Sequence, residues 1–294
     1  MKIAEIEAKS LIQRSKIPSI DYVANPYTGC MLACAYCYAS FSGRFVGEPV
    51  NQWGNFVYVK KNAVELVRKE LRKMTCTKRN GSLLLSSVTD PYQGPERNLR
   101  ITRGILETLV DNQYPGMIRI LTKSPLVTRD IDLLSGLPRV EVGMTVTTTE
   151  DRVSRWLEVR APSASKRFQA LTELHDAGIS TFAFVGPLLP HFATNPDLLN
   201  TLFSQLAQTG VREVYMEHIN LKRYIRERMD PILATESKEV QEAYIHARTK
   251  AHRQQLNAIV APMLVEHGLK LRFDEVVYHD TFKKLPATEP PNDT

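Results

Sequence analysis

Short runs dense in aliphatic and β-branched residues alternate along this chain with longer stretches whose apolar residues recur every three or four positions. The short runs read as strands at residues 20–24, 83–88, 117–122, 140–147, 179–185 and 211–216, with a late one at 269–273. Helical periodicity fills 63–74, 102–112, 127–134, 165–177, 195–208 and 238–267. This alternation predicts βαβ units and a parallel sheet, because parallel neighbours need a crossover long enough to hold a helix. Spacing alone suits an open doubly wound sheet or a partial barrel, and both collect ligands at the carboxyl ends of their strands. Gly178 closes one helix as its C′ residue, and Asn195-Pro196 opens the next as cap and first-turn proline. The pattern over 236–267 predicts a C-terminal helix packed across the barrel or sheet, and residues 284–294 predict a frayed tail. The expected organisation is a core over 1–235 and a C-terminal extension of helix, strand and tail over 236–294.

With 294 residues and 43% hydrophobic content the chain fills a sizeable core, which excludes disordered and fibrous classes. No apolar run approaches the roughly 18 residues of a membrane span, and the opening MKIAEIEAKS carries charges where a signal peptide needs an apolar stretch. The expectation is a soluble, cytoplasmic protein with no membrane partner. A formal charge of +6, spread along the chain, permits polyanion binding without arguing for it. Basic runs at 68–73, 222–228 and 248–253 fall mostly on helical patterns, where they read as solvated faces or as a nucleic-acid surface. Neither G-x-x-x-x-G-K-[ST], G-x-G-x-x-G nor H-E-x-x-H occurs, so nucleotide triphosphatase, dinucleotide and zincin readings lack support.

The four cysteines change the picture. Cys30, Cys34 and Cys37 fall within eight residues while Cys76 stands alone, which is a metal or redox pattern and not a secreted disulfide framework. The run Asn25-Pro26-Tyr27-Thr28-Gly29-Cys30-Met31-Leu32-Ala33-Cys34-Ala35-Tyr36-Cys37-Tyr38 delivers three thiolates from one loop after a strand. Soft thiolates select zinc, Cu(I) or iron–sulfur clusters. No fourth Cys or His lies at finger spacing, and the nearest are Cys76 and His175. An open coordination position on a 4Fe–4S cluster points to catalysis, since electron carriers bind theirs with four cysteines. Zinc completed by a distant ligand, or three buried small hydrophobes, are the alternatives.

The loop resembles the signature of the radical S-adenosylmethionine (radical SAM) superfamily. Asn25 to Cys30 with Cys37-Tyr38-Ala39 is similar to its spore photoproduct lyase-like, or DNA repair photolyase-like, branch. So are Ser87-Val88-Thr89-Asp90-Pro91-Tyr92-Gln93-Gly94-Pro95-Glu96, Thr122-Lys123-Ser124, Thr145-Val146-Thr147-Thr148 and Arg160-Ala161-Pro162-Ser163 with Arg167. The resemblance implies an α/β fold, a partial (β/α)6 TIM-type barrel with a C-terminal helical extension. It implies a 4Fe–4S cluster on Cys30, Cys34 and Cys37 whose free iron chelates S-adenosylmethionine. A ferredoxin- or flavodoxin-like partner would supply the electron, and a 5′-deoxyadenosyl radical would take hydrogen from the substrate. Tyr36 would pack beside the adenine, and backbone groups from Ser87 to Thr89 would take the methionine amino group. Lys123 would pair with the cofactor carboxylate, and Thr145 and Thr147 would bond carboxylate or ribose. The chain departs from true spore photoproduct lyase in one respect. Ser86-Ser87-Val88-Thr89 lacks the hydrogen-donating cysteine, and Cys76 precedes the strand, which argues against dimer repair by that route.

Six further side chains are candidates for chemistry. Asp90 and Glu96 flank a Pro-Tyr-Gln-Gly-Pro turn, as substrate ligands or helix caps. Glu217 and His218, with Asn220, stand at the sixth strand's end, to hold substrate or its departing proton, or to open a helix capped by Asn220. His191 sits in a proline-framed loop after the fifth strand. Two functional classes follow: a radical SAM enzyme acting on DNA, a nucleotide lesion, a peptide or a small molecule, and a non-catalytic zinc-stabilised module that binds nucleic acid.

Overall fold

The computed structural model describes residues 1–278, so the predicted tail at 284–294 lies outside the described residues. Its strands are β1 (Lys2–Ile6), β2 (Ile12–Arg14), β3 (Tyr22–Ala24), β4 (Tyr27–Thr28), β5 (Phe56–Lys60), β6 (Leu83–Leu85), β7 (Ile118–Thr122), β8 (Val140–Thr145), β9 (Ser180–Leu188), β10 (Glu213–His218) and β11 (Lys270–Leu271). All seven predicted strands occur, in sequential order, in an eight-stranded mixed sheet β11-β10-β9-β8-β7-β6-β3-β2. Neighbours are parallel except β2, which runs antiparallel to β3 at the edge. The fold is therefore α/β, with the carboxyl ends of β3 and β6 to β10 at one side of the sheet.

The sheet is buried through continuous apolar strands, as parallel sheets with covered faces require. Leu83, Leu85, Ile118, Ile120, Val142, Met144, Ala183 and Val214 are sealed among helix residues such as Val67, Leu71, Leu106, Leu171 and Leu202. Each such large side chain contributes roughly 1.5–3 kcal/mol of transfer free energy. At the amino ends, Glu141 of β8 accepts from Arg119 of β7 at 3.0 Å and from Arg272 beyond β11 at 2.9 Å, tying these strands by charge.

Several expected boundaries shift for identifiable reasons. The strand expected over 83–88 stops at Leu85 because the Ser87 and Val88 amides leave the ladder for the Asn25 side chain, at 2.8 and 3.1 Å. The long helix expected over 238–267 is two, Lys238–His246 and Lys250–Glu266. Thr249 breaks it, capping the second helix by accepting from the His252 amide at 3.2 Å. The stretch 127–134 is a 3-10 turn (Pro125–Asp130) followed by one α-turn (Ile131–Leu134). Helix Asp151–Leu157 was not expected, and helix Arg223–Leu233, one of the alternatives for the segment after β10, has Lys222 as its N-cap, with Asn220 accepting from the Lys222 amide at 3.1 Å two residues earlier.

The sequence reading also omitted a small sheet, β1-β5-β4, with β1 parallel and β4 antiparallel to β5. This sheet carries the cysteine loop, since β4 leads straight into Gly29. Gly29 holds φ +90°, and a Cβ there would stand 2.5 Å from the Phe56 carbonyl oxygen and 2.6 Å from its ring. Gly29→Ala therefore forces strain and overpacking together, an expected loss of about 2–4 kcal/mol. Urea unfolding checks this, and an unchanged midpoint would contradict the close approach.

Candidate active site

The loop after β3 gathers the three thiols at the carboxyl side of the sheet, with Cys30 and Cys34 buried, Cys37 half-buried and Cys76 exposed elsewhere. Its backbone groups are held mostly from outside. Gln93 accepts from the Met31 amide at 2.8 Å and donates to the Gly29 carbonyl at 3.3 Å and the Thr89 hydroxyl at 2.9 Å. Thr89 itself donates to the Gly29 carbonyl at 2.5 Å. The Ala35 amide donates to the Leu157 carbonyl at 2.7 Å. From the helix after β10, Arg228 donates to the carbonyls of Cys34 (2.7 Å) and Cys37 (3.3 Å), and the Tyr224 hydroxyl to that of Tyr38 at 3.0 Å. Lys60 donates to the Asn25 carbonyl at 2.7 Å, and the Tyr38 hydroxyl reaches the Ser87 carbonyl.

Burial pushes every thiol of the loop up. Cys30 is raised well above its ordinary value by burial and then by the charges of Asp90, Cys34 and Cys37. Cys34 is pushed up to about 12 by burial, opposed by the Lys123 charge. Cys37 is raised by burial as well. A thiolate here needs cationic charge at the site, and binding a metal centre releases protons.

Beside Cys34 lies a buried polar cluster. Glu158 receives the Tyr36 hydroxyl, the Arg167 guanidinium, the Thr147 hydroxyl at 3.3 Å and, at 4.0 Å, the Lys123 ammonium. Burial would raise the Glu158 carboxyl, yet Arg167 and Lys123 hold it below its ordinary value. The Lys123 ammonium lies 5.8 Å from the centre of the Tyr36 ring. Arg167 also donates to the Thr145 carbonyl at 3.1 Å and the Pro162 carbonyl at 2.9 Å. Tyr36, Lys123, Thr145 and Thr147 thus meet in one place, whereas Ser87 and Thr89 meet the loop through Asn25 and Gly29. Glu158 and Arg228 were not singled out in the sequence, and Gln93 was marked only as part of the motif after the second predicted strand. The partners of Glu158 and Arg228 stand 122 and 194 residues away, so no local pattern flags them.

The remaining candidates divide. Asp90 accepts from the Tyr92 amide (2.8 Å), the Thr122 hydroxyl (2.7 Å) and the Lys123 amide (2.8 Å), joining the ends of β6 and β7. Burial raises its carboxyl against those bonds. Glu96 is fully buried and receives the Tyr27 hydroxyl, the Thr102 amide at 2.9 Å, the Arg103 amide at 3.2 Å and Arg129 at 3.0 Å. Both carboxylates brace the loop's surroundings. Glu217 and His218 have different surroundings at the end of β10, where the register with β9 shifts between Met216 and His218. Glu217 lies within electrostatic reach of Cys37 and Tyr38. His218 is buried towards the C-terminal helices, its ring 5.2 Å from those of His252 and Tyr278. His191 stacks on Tyr244 at 5.7 Å and meets the edge of Trp156 at 5.4 Å.

A family model described as the Radical SAM superfamily matches residues 24–216, from the end of β3 into β10. The chain belongs to the radical SAM superfamily. It is 37% identical over 224 residues to an uncharacterised protein of Methanocaldococcus jannaschii, covering 76% of this chain and 79% of that one. It is 28% identical over 199 residues to a radical SAM Nalpha-GlyT isomerase of Pseudomonas phage M6, covering 67% of this chain and 39% of the phage protein. Among solved structures it is similar to spore photoproduct lyase complexed with dinucleoside spore photoproduct. The TM-score is 0.69 at 15% identity, over 94% of this chain and 82% of that one, a likeness of fold alone.

As a radical SAM protein the chain is an enzyme, which decides against the non-catalytic zinc module. Membership implies a 4Fe–4S cluster and S-adenosylmethionine, and the donor set fits them. Thiolates sharing one zinc at 2.3 Å stand about 3.8 Å apart. Among the described residues no three His, Cys, Asp or Glu side chains converge for a single ion. Cluster thiolates each take a different iron and stand further apart, and these three still act on one another electrostatically.

Two outcomes follow. Glu96→Ala takes the buried acceptor from the Tyr27 hydroxyl and the Thr102 and Arg103 amides, while Arg129 keeps Asp130 at 2.7 Å, and stability is expected to fall by about 2–5 kcal/mol in urea titration, a larger effect than loss of a solvent-facing ligand produces. His252 is pushed down to about 4 from 6.5 by burial, then by His246 and Arg253. The unfolded chain therefore takes up the proton first. Stability should be full above pH 6.5 and fall by up to about 3 kcal/mol towards pH 4. His252→Leu should flatten that slope in pH-dependent thermal melts.

Proposed function

We propose that Cys30, Cys34 and Cys37 hold a 4Fe–4S cluster in a six-strand partial barrel, and that the enzyme cleaves S-adenosylmethionine reductively to draw hydrogen from a DNA or nucleotide lesion. The clamped thiol loop with Lys123 at its edge is the observation that carries this reading. The cluster, when bound, supplies the electron that opens the sulfonium and releases a 5′-deoxyadenosyl radical. Lys123 takes the cofactor carboxylate as a cation fixed by its own amide on Asp90. Tyr36 offers its ring to the adenine from a hydroxyl anchored on Glu158. Ser87 offers its side chain and carbonyl near the amino group, while Thr89 and Thr147 spend their hydroxyls on the frame around the cofactor. Glu217, near Cys37, is the residue we assign to substrate. Residues 1–235 form the catalytic core and 236–294 the extension.

The lesion reading draws on the solved structures the fold resembles, whose bound molecule is a dinucleoside photoproduct. The missing cysteine over 86–89 favours a reaction that restores hydrogen to the product without a protein thiol. An isomerisation does so, and the phage relative is named as an isomerase. The electron donor is of ferredoxin or flavodoxin type, and the setting is the cytoplasm. No helix among the described residues is long and apolar enough to cross a membrane.

Anaerobic reconstitution tests the reading: about four irons per chain, and 5′-deoxyadenosine on reduction with dithionite and S-adenosylmethionine. Cys34→Ala should lose both, and Cys76→Ala neither. Zinc in place of iron, with no cofactor cleavage, would overturn it.

A further inference from the structure

Glu158 lies at the centre of a chain of contacts that runs from the sheet to the cysteine loop. Arg167, wholly buried, is fixed to the end of β8 through the Thr145 carbonyl at 3.1 Å and to the Pro162 carbonyl at 2.9 Å. Its guanidinium holds Glu158, and Glu158 holds the hydroxyl of Tyr36, which stands between Cys34 and Cys37. The backbone repeats the attachment. Residues 157–160 run antiparallel to the loop, with a bridge between Glu158 and Cys34. The Ala35 amide bonds the Leu157 carbonyl at 2.7 Å and the Arg160 amide the Leu32 carbonyl at 3.3 Å. A strap from the fourth parallel strand thus lies along the thiols, and its one carboxylate meets Tyr36, Thr147, Lys123 and Arg167 beside Cys34.

The charges make this more than a brace. Glu158 is 1% exposed and Arg167 not at all, so their pair is shielded from water and compensates itself. Lys123, 4.0 Å from Glu158, brings a second cation to that carboxylate, and Arg228 adds its charge at the Cys34 carbonyl, 2.7 Å away. Removing the carboxylate leaves two cations unbalanced in a site of low dielectric, where charge acts strongly.

We propose that Glu158 is the positioning residue of the cysteine loop: it fixes Tyr36 and sets the electrostatic balance beside Cys34, and through that balance the reduction potential of the centre the cysteines hold. This rests on the radical SAM reading for the centre, while the fixing of the loop stands on the chain alone.

Redox titration of the reconstituted enzyme separates charge from shape. Glu158→Gln keeps the size and one of the two accepting oxygens but deletes the negative charge, so the cluster potential should rise. Lys123→Met deletes a cation on a partly exposed side chain and should lower it. A bracing role alone predicts no shift in either, and unchanged or same-signed potentials would overturn the electrostatic part. Hydrogen exchange on the full chain before reconstitution tests the rest. Tyr36→Phe removes only the hydroxyl that Glu158 holds and should speed exchange at the Ala35 amide about tenfold, the loss of one hydrogen bond to a charged group. Lys123→Met should leave that amide unchanged. Equal exchange in Tyr36→Phe and the parent chain would overturn the fixing of the loop. A parent chain that takes up no cluster would sink the radical SAM reading of the site while leaving the exchange measurement to judge the strap.

Discussion

Residues 29–37 bury thiols in a segment with almost no regular secondary structure, and buried backbone N–H and C=O groups must still find partners. The site is organised around that constraint. Gln93 comes from the segment after β6, Leu157 from the helix after β8 and Arg228 from the helix after β10, and each closes a different part of the loop. A parallel sheet suits the task because it delivers all these segments to one side, around a loop that itself leaves β3. The small sheet β1-β5-β4 adds the entry angle, with Gly29 pressed against Phe56 where no side chain has room.

Charge is distributed by the same logic. At the amino ends Glu141 joins Arg119 and Arg272 across neighbouring strands, which ties the sheet where no ligand is collected. At the carboxyl side Glu96 and Glu158 are buried with one arginine each, Arg129 and Arg167. Such pairs add little net stability over an apolar core, but losing one partner is costly, so they specify geometry. Around Glu96 that geometry fixes β4, the stem of the loop, through Tyr27. Around Glu158 it fixes the loop itself through Tyr36. Burial pushes the thiols up, so a metal centre binding there would release their protons.

The end of β10, where its register with β9 shifts between Met216 and His218, gives different surroundings to two residues that adjoin in the chain. Glu217 lies within electrostatic reach of Cys37, while the His218 ring packs against those of His252 and Tyr278. Strand-end position was thus a sound guide to the region and a poor one to the side chain. Asp90 shows a related limit, since a carboxylate next to a turn can serve substrate or backbone equally well, and here three donors occupy it.

What the sequence by itself determined is what is local along it. The alternation of apolar periods gave the seven main strands in their order, the C-x3-C-x2-C spacing gave the thiol set, and the motif residues marked Tyr36, Lys123 and Thr147, which do meet. Short strands such as Lys2–Ile6 and Tyr27–Thr28 escaped because they gain their pairing only from β5. The tertiary structure alone decided which groups face the thiols. Glu158 meets Tyr36 across 122 residues and Arg228 meets Cys34 across 194. Partners so distant in the chain touch only after the sheet has brought its strand ends together, and no periodicity or spacing along the chain records that meeting.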